Sequence, residues 1–148
     1  MFFTASLEAA VVLATEYTRV KKTLSWMATA ADHDPNWSAS DEVEYGRQYA
    51  RANELKQGIA MTLTVLARDH HADWQSFLAE GVTRLEVLVR QSPESWAVAE
   101  YEHDQWTSWS KGQLEEADRP EVFARGIDLL HEYRDHIDQR IRKDARRR

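Results

Sequence analysis

The densest group of residues that could carry chemistry lies near the C-terminal end. Within eleven positions the chain has Asp128, His131, Glu132, Asp135, His136 and Asp138. In an α-helix, which turns about 100° per residue, Asp128, His131 and Asp135 share one face. Carboxylate and imidazole groups at this spacing could hold a hard or borderline metal ion. Arginines three and four residues away could instead pair with these acids on a solvent-exposed helix face. We favour the solvated face, so the sequence predicts no metal ligand and no cofactor.

Glu100 and His103 match half of a known metal-binding pattern. Di-metal carboxylate bundles repeat a Glu-x-x-His pair on two helices, and this chain has one such pair. His103 shares a predicted helix face with Trp96 and Trp106, so a hydrogen-bonded core histidine is the simpler interpretation. The chain also has no Cys, no Gly-x-Ser-x-Gly and no glycine-rich phosphate loop. The sequence therefore predicts no catalytic residue.

One alternative for catalysis comes from an arginine and a histidine in the last quarter of the chain. Arg125 and His131 are separated by five residues, which resembles the Arg-x(4–6)-His pattern of HEPN ribonucleases, helical domains of about this size. Gly126 follows the arginine, where that family usually has a polar residue. The resemblance implies that Arg125 and His131 would form an RNA-cleaving site in a dimer.

A stretch rich in aromatic residues is the strongest indication of a binding surface. On a helical wheel, one side carries Trp96, Ala99, His103 and Trp106, and the roughly opposite side carries Val98, Tyr101 and Trp109. A helix that is apolar on two opposed faces is either enclosed by its own core or shared with a partner. Trp and Tyr are typical interface anchors. We therefore predict a partner-binding surface at Val98, Tyr101 and Trp109, with Trp109 at least partly exposed in the isolated chain.

The net charge of −6 is unevenly distributed, because the last ten residues are basic. They contain one acid, Asp144, and the basic residues Arg140, Arg142, Lys143, Arg146, Arg147 and Arg148. Clustered cations could contact the phosphates of a nucleic acid. The rest of the chain is acidic and would repel a duplex lying along it. The simpler interpretation is a solvent-exposed C-terminus, where the cations interact favourably with the negative end of the helix dipole.

Helices must position all of these residues, because apolar residues repeat at the spacing of an α-helix along the whole chain and no alternating pattern typical of a strand occurs. The predicted helices span about 4–30, 40–68, 74–89, 95–111 and 121–143. Turn formers around Pro35, a Ser92-Pro93 helix start and a terminal Gly112 mark their ends. The apolar arc of the last helix is about half its circumference, so we expect this helix to be central. The predicted core includes Leu85, Leu88, Ile127 and Leu130.

The sequence predicts an all-α fold: a single-domain antiparallel bundle of about five helices with a long central C-terminal helix. The bundle comprises residues 1–138, and residues 139–148 form a basic extension of the last helix. A chain of 148 residues is long enough to bury a stable core without disulfide bonds. Glu8 and Glu16 interrupt the first apolar run, which is too short for a signal peptide or a membrane span. We expect a cytoplasmic protein with no membrane contact.

These features favour a non-enzymatic helical interaction protein, such as an adaptor, an inhibitor or a small subunit of a larger assembly. Its partner would be another protein or a second copy of itself in a homo-oligomer. Two alternatives stay open. One is a HEPN-like ribonuclease or toxin that uses Arg125 and His131, and the other is a nucleic-acid-associated subunit that uses the basic tail.

Overall fold

Five long helices make up the fold in a computed structural model, which describes residues 2–91 and 97–146 and their side chains except those of 136–141 and 144. The helices are α1 (Phe2–His33), α2 (Ala39–Asp69), α3 (His71–Gln91), α4 (Ala97–Ser110) and α5 (Arg119–Arg146), with a short 3-10 turn at Glu116–Asp118. No strand occurs in these described ranges. The predicted all-α bundle of five helices is therefore confirmed.

Local hydrogen bonds explain where the helices begin and end. The backbone N–H of Asp41 donates to the Ser38 hydroxyl, and the Ser38 N–H donates to the Asp41 carboxylate, which forms a capping box at the start of α2. Gly112 has a φ of 73°, and its N–H donates to the Trp109 carbonyl. Glycine tolerates this left-handed conformation, so the predicted glycine stop after α4 is confirmed. The predicted helix start at Ser92-Pro93 lies outside the described residues.

Helices α1 and α2 form an antiparallel hairpin. Leu13 of α1 lies against Gly58 of α2, and the Glu16 carboxylate lies 3.3 Å from the Arg51 guanidinium. The inner faces of both helices follow the three- and four-residue spacing of a buried helix stripe. The buried residues are Ala10, Ala14, Tyr17, Val20, Leu24 and Met27 on α1, and Ala52, Leu55, Ile59, Leu63 and Leu66 on α2.

Helix α5 is central, as its wide apolar arc predicts, because it contacts each of the other four helices. Its buried residues include Val122, Phe123, Ala124, Ile127 and Leu129. Leu85 and Leu88 of α3 are fully buried as expected. Leu130 is only half-buried, which corrects that part of the predicted core. It points the same way as Phe123 and Ile127, but it lies beyond Leu129, the last residue of α5 that is described as buried.

Candidate interaction surface

Trp109 lies in the core, and this corrects the predicted partner-binding surface. Its side chain is 5% exposed and packs edge-on against Trp74, Trp106 and Phe123, with ring centroids 5.4, 5.7 and 6.3 Å away. The prediction that Trp109 is exposed in the isolated chain is therefore wrong. Residues three apart on a helix are neighbours, so Trp109 shares the face of Trp106 and does not lie opposite it.

The buried face of α4 follows a regular spacing that includes one acid. The buried residues are Ala99, Glu102, Trp106 and Trp109, at steps of three, four and three. Trp96, which helped to define one of the two predicted faces, lies outside the described residues, and Glu102 was not predicted to be buried. The signal that could have identified Glu102 is this spacing, since a helix stripe at positions three and four apart faces the core.

Val98 and Tyr101, the other two residues of the predicted surface, are exposed, at 60% and 53%. The Arg125 guanidinium of α5 lies over the Tyr101 ring, 5.5 Å from its centroid. A cation at this distance from an aromatic face is attracted by the ring quadrupole. This contact connects the edge of α4 to α5. A role for Val98 and Tyr101 in partner binding stays a prediction, without Trp109 as its anchor.

Trp106 is held in the core by a stacked ring, a hydrogen bond and two glycines. It is fully buried, stacks on Phe123 with planes 14° apart, and its Nε1–H donates to the Val122 carbonyl over 3.1 Å. Two glycines border its indole, Gly81 on α3 and Gly126 on α5, and a Cβ at either position would overlap the ring atoms. The absence of a side chain on these two helices therefore creates the slot that holds the indole.

Glu102 is a fully buried acid paired with Arg125. Its Oε1 lies 2.6 Å from Arg125 Nε, yet within the described structure neither carboxylate oxygen has a hydrogen bond of good geometry. Burial raises the pKa of Glu102, the charge of Arg125 opposes this shift, and the nearby charge of Glu121 adds to it. An acid in such a site is costly to ionise even when it is paired.

We expect Glu102→Gln to change how stability depends on pH. In the unfolded chain Glu102 ionises near its ordinary pKa of 4.5, whereas the fold retains the proton to higher pH. The contribution of Glu102 to stability therefore falls as pH rises above about 4.5. The neutral glutamine avoids this loss, so the variant should match wild type near pH 4 and exceed it by about 1 kcal/mol near pH 8.

Urea unfolding at both pH values measures this difference. Glu100→Gln is the matched control, because it removes one carboxylate from an exposed position of the same helix and should not reproduce the gain near pH 8. Equal stabilities of Glu102→Gln and wild type at the higher pH would contradict the prediction.

Arg125, the arginine of the HEPN resemblance, is thus engaged by Glu102 and Tyr101. His131 is half-buried and almost two turns further along α5. No contact between Arg125 and His131 is found in the described part of the chain. The geometry accounts for Arg125 as a residue that holds α4 to α5, and the ribonuclease alternative stays a prediction.

A second polar contact joins α1, α2 and α5. The Tyr17 hydroxyl donates to Glu121 Oε2 over 3.3 Å, and Lys56 Nζ lies 3.8 Å from the same oxygen. Burial, together with the charge of Glu121, raises the pKa of Tyr17 to about 12, so this phenol stays protonated at neutral pH. The contact satisfies the one polar atom of a side chain that is otherwise part of the core.

The described side chains of the polar group near the C-terminal end are half-buried or exposed along α5. Asp128 lies 3.8 Å from Lys22 of α1, and Asp135 is exposed. Within the described residues no cluster of three or more acids and histidines is close enough to hold a metal ion, and the side chains of His136 and Asp138 lie outside this description. His103 is half-buried, with its Nδ1 3.6 Å from Asp104.

The predicted nucleic-acid contact involves the last two turns of α5. Arg142, Lys143 and Arg146 are exposed on this helix. The side chain of Arg140 and the residues Arg147 and Arg148 lie outside the described structure. Binding of the tail to nucleic acid stays a prediction.

Among the residues that the structure describes, the largest set of exposed apolar side chains lies on the α1–α2 hairpin, on the side away from its core. We call this surface the outer face. Its exposed apolar residues are Phe2, Ala5, Ala9, Val12 and Trp26 on α1, and Val43, Met61 and Val65 on α2. Phe2 is 77% exposed, Val12 67%, Met61 72% and Trp26 74%. This surface was not predicted from the sequence. Its pattern is nevertheless visible there, because Phe2, Ala5, Ala9 and Val12 repeat at helical spacing next to the buried residues of α1.

Grooves run along the hairpin next to the outer face. One, of about 490 Å³, is lined mainly by Val11, Val12, Leu13 and Leu55. A second, of about 270 Å³, is lined by polar residues that include Glu16, Arg19 and Arg51. The outer side of the hairpin therefore has a mainly apolar groove and, next to it, a charged one.

Comparisons with known proteins add no relative of this fold. No protein-family model matches the chain, and no curated protein or solved structure is significantly similar to it. None of the helices, as far as their residues are described, is long and apolar enough to cross a membrane.

Proposed function

We propose that this protein is a non-enzymatic helical interaction protein that binds its partner through the outer face of the α1–α2 hairpin. The observation that carries the proposal is that α1 is apolar on two faces. Its inner row, which includes Ala10, Ala14 and Tyr17, is buried, while Phe2, Val12 and Trp26 are largely exposed. A helix of this kind is shared between its own core and a partner.

Exposed apolar residues of α2 lie at the same level as those of α1. Because Leu13 lies against Gly58 and α2 runs antiparallel to α1, Met61 lies close to the level of Val12. Helix periodicity turns Met61 and Val65 to the same side of the hairpin as Val12. The two helices therefore place exposed apolar side chains on one side of the hairpin at neighbouring levels, and exposed apolar patches mark contact sites on proteins.

A photo-cross-linking amino acid at position 12 tests this proposal in cells of the native host. We expect cross-linked products from position 12 and none from position 98, because Val98 is a matched exposed valine on α4. Met61→Lys should abolish the products by placing a charge in the apolar area. Cross-links from position 98 alone would favour the α4 surface, and no products from position 12 would refute the proposal.

A further inference from the structure

We infer that the partner of the outer face is a second copy of this chain, packed about a two-fold axis. This inference rests on the proposed function, because it names the occupant of the same surface. It is carried by the order of charges along the hairpin and by the area of the outer face.

The outer face has three zones along the length of the hairpin. The zone at the free end of the hairpin, which we call the apolar zone, has the exposed apolar residues Phe2, Ala5, Ala9, Val12, Met61 and Val65, with one exposed acid and one exposed base beside them, Glu8 and Arg68. The middle zone, which we call the charged belt, consists of Glu16, Arg19, Arg47, Arg51 and Glu54. The zone near the α1–α2 turn has the apolar residues Trp26 and Val43. The pairing of Glu16 with Arg51 across the hairpin sets these levels for both helices.

This apolar–charged–apolar order is self-complementary. A two-fold axis that lies in the plane of the interface can run along the hairpin or across it. If it runs along the hairpin, the zones of the second copy have the same order, and if it runs across, they have the reverse order. In both cases apolar zones meet apolar zones and the belt meets the belt. An interface between identical copies requires this property, because the same patch must fit itself.

The charged belt also suits a copy of itself, because it contains acids and bases. Arg19 and Arg51 both contact the Glu16 carboxylate, at 2.5 and 3.3 Å, and the hydrogen bond from Arg19 lowers the pKa of Glu16. Glu16 is therefore ionised at neutral pH. Arg47 and Glu54 are exposed, so each copy offers both signs of charge to the other.

The exposed area is consistent with one further interface. Helices α1 and α2 are each roughly 45 Å long and pack about 10 Å apart, so the outer face offers about 900 Å² per copy. Specific interfaces bury about 800 Å² per partner, and the outer face is large enough for that.

Sedimentation velocity of the purified full chain, from about 1 to 100 μM, tests the inference. We expect the wild type to sediment as a dimer. Val12→Lys should weaken the dimer by about 30-fold or more, the usual effect of losing an interface anchor. Glu8 and Glu16 lie four residues to either side of position 12 and stabilise a lysine there, so the variant should remain folded. Met61→Lys should weaken the dimer to a similar extent, and Val98→Lys should leave the dimer intact.

The outcomes separate this inference from the proposed function. A wild type that stays monomeric throughout the range overturns the inference, as does a dimer that both Val12→Lys and Met61→Lys leave unchanged. Purified protein with the cross-linker at position 12 should give a product with twice the mass of one chain. Cross-links to other host proteins, together with a monomeric wild type, would leave the proposed function standing and refute the second copy.

Discussion

Gly126→Ala is expected to destabilise the protein by about 3 kcal/mol, the upper part of the range for overpacking a core. The added Cβ would overlap the Trp106 indole, and the ring cannot move away. It is held by Phe123 on one side and by its hydrogen bond to the Val122 carbonyl. Gly81→Ala should have a similar effect from the opposite side, because its Cβ would lie 2.7 Å from Trp106 Cε3. Urea unfolding followed by circular dichroism measures both.

Gly46→Ala is the matched control for this prediction. Gly46 is exposed within α2 and has nothing within 4 Å of an added Cβ. Alanine is the better helix former, so this variant should be more stable by about 0.5–1 kcal/mol. In a Trp106→Ala background, Gly126→Ala should cost far less than in wild type, because the clash has been removed. An equal cost in both backgrounds would show that the slot for the indole is not the cause.

Trp109→Ala is expected to destabilise the isolated chain by about 3–5 kcal/mol, the usual cost of truncating a buried tryptophan. The aromatic rings of Trp74, Trp106 and Phe123 surround Trp109 within 6.3 Å, so the truncation leaves a cavity that these rigid neighbours cannot fill. If Trp109 were an exposed anchor, the same change would weaken association and leave the stability of the monomer nearly unaltered.

Trp26→Ala serves as the control, since Trp26 is a tryptophan on the outer face that is 74% exposed. Its removal should change the free energy of unfolding by no more than about 0.5 kcal/mol. It should also weaken the dimer, because Trp26 belongs to the apolar zone near the α1–α2 turn. A loss below about 1 kcal/mol for Trp109→Ala would contradict the core position of that residue.

Much of the fold was predictable from local patterns. Helix periodicity identified all five helices, and the stop at Gly112 followed from the demand for a left-handed residue after a helix. The wide apolar arc of α5 predicted its central position. The sequence also predicted burial of Leu85, Leu88 and Ile127, since a residue in the middle of an apolar stripe is enclosed wherever its neighbours lie.

The candidate site was less predictable, and α4 shows why. Trp109 was assigned to the wrong side because the two faces were defined around Trp96, although Trp109 lies only about 60° from Trp106 on a helical wheel. The arrangement of α3 against α4 decides which side of that wheel is buried, with Trp74 and Phe77 placed around Trp106 and Trp109. Leu130 is a second example. The sequence predicts which side of α5 its side chain lies on, but it does not predict where along α5 the buried region ends.

The sequence by itself therefore determined the helices, their ends and the direction of their main apolar faces, because these depend on neighbours within a few residues along the chain. Only the tertiary structure decided which apolar residues stay exposed, since burial depends on helices that are distant in sequence. Trp109 and Val12 are both apolar helix residues, yet α3 and α5 enclose the first while the second is left on the outer face. The contact of the buried Glu102 with the half-buried Arg125 has the same origin, because the packing of α4 on α5 brings the two side chains together.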